Sequence, residues 1–387
     1  MNMTSEMPNS QNTPVEALRI VQFGPTLYHG GVAVAIKQLC LDMARLGQKV
    51  MLIGNGGEGM DKLVDAGVDY QELNWSGTRS LLGSAGQVRK RLKAFQPDIV
   101  HVHGRGPSLA CILAGRKPDC FTMHNTHLTD QVGLLDFGPV RKYFSPLGRQ
   151  VFALNPEAVK YLTTQLGVKP DCVEIIPNGV DTEYFRPPTD AERATARSQF
   201  GVGEQETMAL FVGRFHEQKQ PETAVELAAA ARDAGLKEVR VILVGTGSLE
   251  ENVREHIRAL QVEDICKIHN WMNPLVAYWA ADLLLMPSLY EGYGLVAAEA
   301  LACGCPVLRT KSGGYELMIR EGVTGFACLT NRDAFIAKGL EVLRNRDALQ
   351  NMRPAARAWA QEKLGIRLQT EQMLTAYRRL LSERRAS

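Results

Sequence analysis

Two carboxylates lie close together in the stretch SLYEGYGLVAAEALACGCPV (288–307): Glu291 in a glycine-flanked turn and Glu299 on the alanine-rich run that follows. The run 295–303 predicts a helix, since alanine and leucine favour it and Gly304, with Pro306 beyond, ends it. The N-terminus of such a helix carries unpaired N–H groups and the positive end of the dipole, which attract phosphate. Glu291, just outside, can accept hydrogen bonds from hydroxyls. Glu299 sits one turn past Leu295 among apolar neighbours, so it needs a partner if buried and is an ordinary solvated residue if not. A second group stands in GRFHEQK (213–219), where Arg214 and Lys219 leave an expected strand (208–212) and approach a helix opening at Pro221. Two cations there can neutralise a diphosphate; plain surface charge is the alternative. Together these residue types suit hydroxyls held beside a diphosphate.

The elements that must position them alternate strand and helix. Residues 18–23 predict a strand whose loop contains Gly30 and Gly31 and opens onto a helix over 32–46. Neither glycine carries a Cβ, so backbone can approach a ligand there; a plain strand-to-helix turn uses the same pair. Strands follow over 49–53, 98–102, 120–123, 151–154 and 173–177. Gly54, Gly56 and Gly59 spell G-x-G-x-x-G, but after the second strand, whereas a dinucleotide fingerprint belongs in the first turn of its unit. His103 and His124 stand at strand ends, where α/β folds bind ligands. Asn155 caps a helix through 165. Arg186-Pro187-Pro188 marks a boundary, and a second series follows with strands at 208–212, 239–244, 265–269, 282–286 and 306–309. Helical periodicity then runs through Leu381.

The spacing of Glu291 and Glu299, seven residues between them with Gly-Tyr-Gly-Leu after the first, resembles the E-x7-E signature of the retaining family 4 glycosyltransferases. Other landmarks of that family occur in order over nearly the whole chain: the Gly30-Gly31 loop, His124, Asn178-Gly179-Val180-Asp181 and the G-R-x4-K of Gly213 to Lys219. The resemblance implies an α/β GT-B fold, two facing Rossmann-like domains with an interdomain cleft and a C-terminal helix crossing back. The divisions expected are a disordered leader (1–16), an acceptor-side domain (17–185), a nucleotide-sugar domain (186–365) and the returning helix (366–387). It implies transfer of a hexose from a nucleotide sugar, such as a UDP-sugar, to an acceptor hydroxyl with retention of configuration. His124, Arg214, Lys219 and Glu291 take the catalytic places. Gly30, Gly31, Gly292, Tyr293, Gly294, Leu295 and Glu299 hold the donor, with the nucleobase near Trp271 and Met272. No D-x-D pair is present to chelate a cation, so no metal cofactor is expected. Asn155 departs from the serine usual in the family. The acceptor expected is a saccharide, a cyclitol or a lipid-linked molecule, in polysaccharide, lipopolysaccharide or glycoconjugate synthesis. A nucleotide-sugar epimerase of the same fold and a catalytically silent sugar-nucleotide-binding module are the rivals.

Composition agrees with two soluble domains: 387 residues, 45% hydrophobic. A net charge of +2 offers no nucleic-acid footprint. Eight scattered cysteines suggest neither zinc site nor disulfide framework and fit a reducing cytosol. Residues 1–16 lack the basic start and apolar run of a secretory signal, and no apolar stretch approaches the roughly 20 residues that span a bilayer. The segment QVRKRLKAF (87–95) sets Val88, Leu92 and Phe95 at helical spacing among four basic residues. Such a helix can rest on an anionic membrane at the inner face, or spend those three residues on the core.

Overall fold

The computed structural model describes residues 16–28, 30–73, 78–124 and 147–386. The expected leader, apart from residue 16, and His127, considered as a metal partner of His124 and lacking a third ligand, lie outside these residues.

The chain alternates strand and helix as its hydrophobic pattern requires. The first half runs β1 (Arg19–Leu27), α1 (Gly31–Arg45), β2 (Lys49–Gly57), α2 (Asp61–Asp65), β3 (Asp69–Glu72), α3 (Thr78–Phe95), β4 (Ile99–Val102), α4 (Arg105–Leu113), β5 (Cys120–Met123), β6 (Gln150–Ala153), α5 (Pro156–Thr164) and β7 (Val173–Ile175). The second runs α6 (Asp190–Gln199), β8 (Thr207–Val212), α7 (Pro221–Asp233), β9 (Val239–Val244), α8 (Glu250–Ala259), β10 (Cys266–His269), α9 (Pro274–Ala280), β11 (Leu283–Met286), α10 (Leu295–Ala302), β12 (Val307–Thr310), α11 (Tyr315–Met318), β13 (Gly325–Cys328), α12 (Arg332–Leu343) and α13 (Arg346–Lys363). The last helix, α14, spans Ile366–Ala386.

The strands form two sheets, β3-β2-β1-β4-β5-β6-β7 and β10-β9-β8-β11-β12-β13, in which all pairings are parallel. Helices cover both faces, so the central strands are largely buried: every residue of β8 is, although Thr207 opens it. This is the GT-B architecture the resemblance implies. Its returning helix is present as well. Met373, Leu374, Tyr377 and Leu380 of α14 share one apolar cluster with Ile20 of β1, Ile36 and Leu39 of α1, and Phe152 of β6.

The carboxyl edges of the two sheets face each other. Asn155, after β6, donates Nδ2 to the Gly292 carbonyl beyond β11 at 2.5 Å. A Cβ built on Gly31, after β1, would touch Leu295 Cδ1 at 3.7 Å. Where the chain crosses between domains the two passages pair: Val180 N donates to Leu364 O and Ile366 N to Val180 O, both at 2.8 Å.

Two features of the sequence resolve into packing. Gly54 and Gly56 lie on β2, where a Cβ would come within 2.1 Å of Leu27 Cδ1 and 2.4 Å of the Tyr28 ring, so these glycines make room for side chains. On α3, Val88 and Leu92 are buried and Phe95 packs on the same cluster, so its apolar stripe faces the core, while Arg89, Lys90 and Lys93 face out. Among the described residues, no helix is long and apolar enough to cross a membrane.

Candidate active site

In each sheet the strand order reverses beside a central strand, between β1 and β4 in the first and between β8 and β11 in the second. Loops diverge at such a point and leave a crevice. The loops after β8 and β11 border this crevice, and they carry Lys219 and Glu291. Leu289 N donates to Gln218 O and Gln218 Nε2 to Tyr290 O, both at 2.9 Å, which laces the two loops together. A 3-10 turn, Glu217–Lys219, brings Lys219 inward before Pro221 starts α7. Lys219 Nζ then lies 2.5 Å from Glu291 Oε1, and Glu291 is only 5% exposed. Arg214 is exposed and forms no ion pair among the described residues.

The turn after Glu291 is held open toward α10 by its glycines. Gly294 caps that helix at φ +92°, where a side chain would be strained and would meet Met286 Cε at 2.6 Å. Behind it, Arg309 is fully buried and donates to the carbonyls of Tyr293, Ser312 and Gly313 at 3.0–3.3 Å. Gly313 passes so near Glu291 that a Cβ would fall 2.2 Å from its carbonyl oxygen. Gly292 is half-buried with its carbonyl committed to Asn155, and the Tyr293 ring is buried, so what this turn offers a ligand is backbone N–H. Leu295 is buried at the helix start, facing Gly31; Gly30 caps α1 at φ +105°.

Glu299 is buried, as its apolar neighbours predict, and has found its partner: Tyr278 donates to Oε2 at 2.8 Å. Burial raises the Glu299 carboxyl to about 7, against the opposing pull of the Tyr278 hydrogen bond. It can therefore take or release a proton near neutrality. Beyond β10, Trp271 is 55% exposed, Met272 packs against the core, and Asn273 caps α9, leaving an indole face available for stacking.

His124 follows β5 and is half-buried; its Nε2 lies 2.9 Å from His103 Nδ1. Burial lowers it to about 4, so it is neutral at pH 7 and cannot serve there as a cation.

Three residues near this site carry no signature of their own in the sequence. Asn155 reads only as a helix cap, which it is, accepting from Ala158 N at 2.8 Å, but the same amide also reaches Gly292. Tyr278 and Arg309 read as ordinary helix and strand residues, and only their burial reveals what they hold. Among the described residues no group of His, Cys, Asp and Glu could hold a metal ion.

The geometry joins a carboxylate–ammonium pair, a helix N-terminus and a buried carboxylate around one interdomain crevice, a setting for a ligand with hydroxyls and a diphosphate. The sequence matches two family patterns: "Glycosyltransferase Family 4" over residues 29–184 and "Glycosyl transferases group 1" over residues 192–359. A D-inositol 3-phosphate glycosyltransferase from Arthrobacter sp. (strain FB24) is 30% identical over 281 residues, 68% of this chain and 66% of that protein. One from Pseudarthrobacter chlorophenolicus is 28% identical over 347 residues, 81% of this chain and 82% of the relative. Among solved structures, a glycosyltransferase from Rickettsia africae ESF-5 superposes with a TM-score of 0.77 at 20% identity, over 95% of this chain and 99% of that one. Anabaena Alr3699/HepE in complex with UDP-glucose gives 0.79 at 16% identity, over 92% and 98%.

Proposed function

Given that this chain belongs to the family 4, group 1 glycosyltransferases of GT-B type, we propose that it moves a hexose from a nucleoside-diphosphate sugar to an acceptor hydroxyl with retention of anomeric configuration. The observation that carries this reading is the Lys219–Glu291 pair, its carboxylate buried, at the switch point of the second sheet beside the N-terminus of α10.

The chemistry is mainly electrostatic. As the bond from the anomeric carbon to the diphosphate breaks, negative charge grows on the departing oxygen; Lys219, Arg214 and the N–H groups at Gly294 and Leu295 stabilise it. Glu291 accepts hydrogen bonds from the hexose and Glu299 from the ribose, while Trp271 and Met272 flank the base. The glycines of the Gly30-Gly31 loop let backbone approach from across the cleft. The two glutamates are not a glycosidase acid and nucleophile, and no metal is called for where fixed cations meet the diphosphate.

The relatives named for D-inositol 3-phosphate make a cyclitol phosphate the first acceptor to try, ahead of free or lipid-linked saccharides. The neighbour bound to UDP-glucose makes UDP-sugars the first donors. We place the reaction in cytoplasmic glycoconjugate or polysaccharide synthesis. The test is a thermal-shift screen of nucleotide sugars, then product analysis with each acceptor and NMR of the new anomeric centre. Inverted product refutes retention. Donor conversion without acceptor indicates an epimerase, and binding with no turnover a silent module.

A further inference from the structure

Six polar side chains form one hydrogen-bonded line beneath the cleft edge of the first sheet. Thr122 Oγ1 meets His101 Nε2 at 2.8 Å, and His101 Nδ1 meets the Tyr377 hydroxyl at 2.6 Å. Gln22 Nε2 donates to that same hydroxyl at 3.0 Å. Gln22 Oε1 meets His103 Nε2 at 2.7 Å, and His103 Nδ1 meets His124 Nε2 at 2.9 Å. Gln22, His101 and Thr122 lie on β1, β4 and β5, His103 and His124 directly follow β4 and β5, and Tyr377 comes from α14. All but His124 are buried.

The line has a direction, set by Gln22. An amide NH2 only donates and its carbonyl only accepts, whereas hydroxyls and imidazoles can do either. The NH2 lies toward Tyr377 and also 3.6 Å from Met43 Sδ, a thioether that accepts weakly and never donates. From there each proton follows. Tyr377 accepts from Gln22, so its own proton goes to His101 Nδ1; His101 then carries its proton on Nε2 and donates to Thr122. On the other side Gln22 Oε1 accepts, so His103 carries its proton on Nε2 and leaves Nδ1 bare, and His124 fills it with an Nε2–H. His124 Nδ1 is left with a lone pair, and this buried atom has no partner among the described residues. Burial keeps all three imidazoles neutral, His101 lowered to about 3, His103 well below its ordinary value and His124 to about 4.

We infer that Gln22, His103 and Tyr377 are positioning residues that lock His124 as its Nε2–H tautomer, so that it meets the bound ligand as a hydrogen-bond acceptor for a hydroxyl and never as a donor to phosphate. The identity of the hydroxyl's owner, the donor sugar, rests on the function proposed above; the tautomer does not.

The two parts are tested separately. In full-length protein carrying ¹⁵N-histidine, two-bond proton–nitrogen correlations distinguish Nε2–H from Nδ1–H, and His101→Asn, His103→Asn and His124→Gln assign the signals. His101, His103 and His124 should all be Nε2–H, unchanged between pH 6 and 8. An Nδ1–H or an imidazolium at His124 overturns the inference. Gln22→Leu removes the directional member and should turn His124 into a mixture of tautomers. Tyr377→Phe, which removes one oxygen, serves if Gln22→Leu does not fold: it frees the Gln22 amide to turn over, and an Nδ1–H population at His124 should appear. A purely Nε2–H His124 in the folded variant overturns the relay. In turnover, a folded variant should lose about tenfold in kcat/KM with the full donor, and little with the one monodeoxy donor that lacks the hydroxyl His124 meets. An equal loss with every monodeoxy donor refutes the acceptor role. Absence of turnover with any nucleotide sugar refutes the functional reading and leaves the tautomer result standing.

Discussion

Lys219 and Glu291, 72 positions apart in the chain, meet at 2.5 Å, the ammonium of one closing on the carboxylate of the other. In the proposed roles, the cation for the diphosphate is thus held by the carboxylate for the sugar. A donor has to draw the two apart or insert hydroxyl and phosphate oxygens between them.

Removing Glu291 should therefore free Lys219. In Glu291→Ala, nucleoside diphosphate affinity should hold or rise, while transfer from the sugar nucleotide collapses. Lys219→Ala should lower kcat by about 10²-fold, since it removes charge stabilisation that matters most as the leaving group departs. Calorimetry with the diphosphate beside initial rates gives both quantities. If Glu291→Ala loses diphosphate affinity as Glu299→Ala does, the division of roles is wrong; a change in KM alone for Lys219→Ala would limit the lysine to binding.

Glu299 predicts a pH dependence of nucleotide binding. Ribose hydroxyls donate, so they need the carboxylate, and in the free protein its pKa is raised to about 7. Diphosphate affinity should fall as pH drops below about 7, and binding at pH 6.5 should release a proton, read from heats in buffers of different ionisation enthalpy. Glu299→Ala should lose about 10- to 100-fold in affinity and the proton release with it. A flat profile in the wild type would show that Glu299 is not the ribose group. For the unliganded fold the sign is opposite to that of an ordinary paired carboxylate: the contribution is present below the unfolded pKa and lost as pH rises through about 7.

The buried histidines act on stability from the acid side. Their folded pKa values are depressed, to about 3 for His101 and about 4 for His124, so the unfolded chain binds protons first as pH falls. Their contribution is complete above the ordinary histidine value of about 6.5 and is lost as pH falls toward 4. Tm should drop across that window in the wild type and drop less in His101→Asn. Equal slopes would mean that His101 is not buried neutral.

Asn155 offers a test of how the halves are joined. Asn155→Ala should cost about 0.5–2 kcal/mol through the lost helix cap and also break the bond to Gly292. Asn155→Ser keeps the cap and shortens the reach, so it should retain Tm while KM for the donor rises. A donor KM unchanged in a folded Asn155→Ser would mean that the interdomain bond contributes nothing to donor binding.

Metal dependence follows from the cations. Turnover should survive EDTA undiminished if Arg214 and Lys219 supply the positive charge as proposed. Loss on chelation with recovery on adding Mg²⁺ or Mn²⁺ would refute it.

Where a short-range rule determined the outcome, it could be read before folding. Alternating strand and helix, Pro221 at a helix start, Gly304 at a helix end and Asn155 as a cap each depend on neighbours within a turn. Two of the four edge strands carry no such signal: β3 is the half-exposed tetrapeptide DYQE and β13 begins on a glycine, so neither shows an apolar run. On α3 the periodicity is plain, but Val88, Leu92 and Phe95 can serve a bilayer as well as a core, and only packing decides. The clasp between Lys219 and Glu291, the second bond of Asn155 and the histidine line all join residues far apart in sequence, and their strengths depend on burial that no local pattern expresses.

Because Tyr377 and its neighbours on α14 complete the core of the first domain, that domain is finished by residues made after the whole of the second. On the ribosome the second domain can close on itself while the first still lacks a wall. A chain released before position 377 would keep Lys219, Glu291 and Glu299 in a well-folded half, yet it would leave Gln22 and His101 facing water where a hydroxyl belongs. The order of synthesis thus acts as a completeness check: the crevice gains its second side only when translation has passed the last helix.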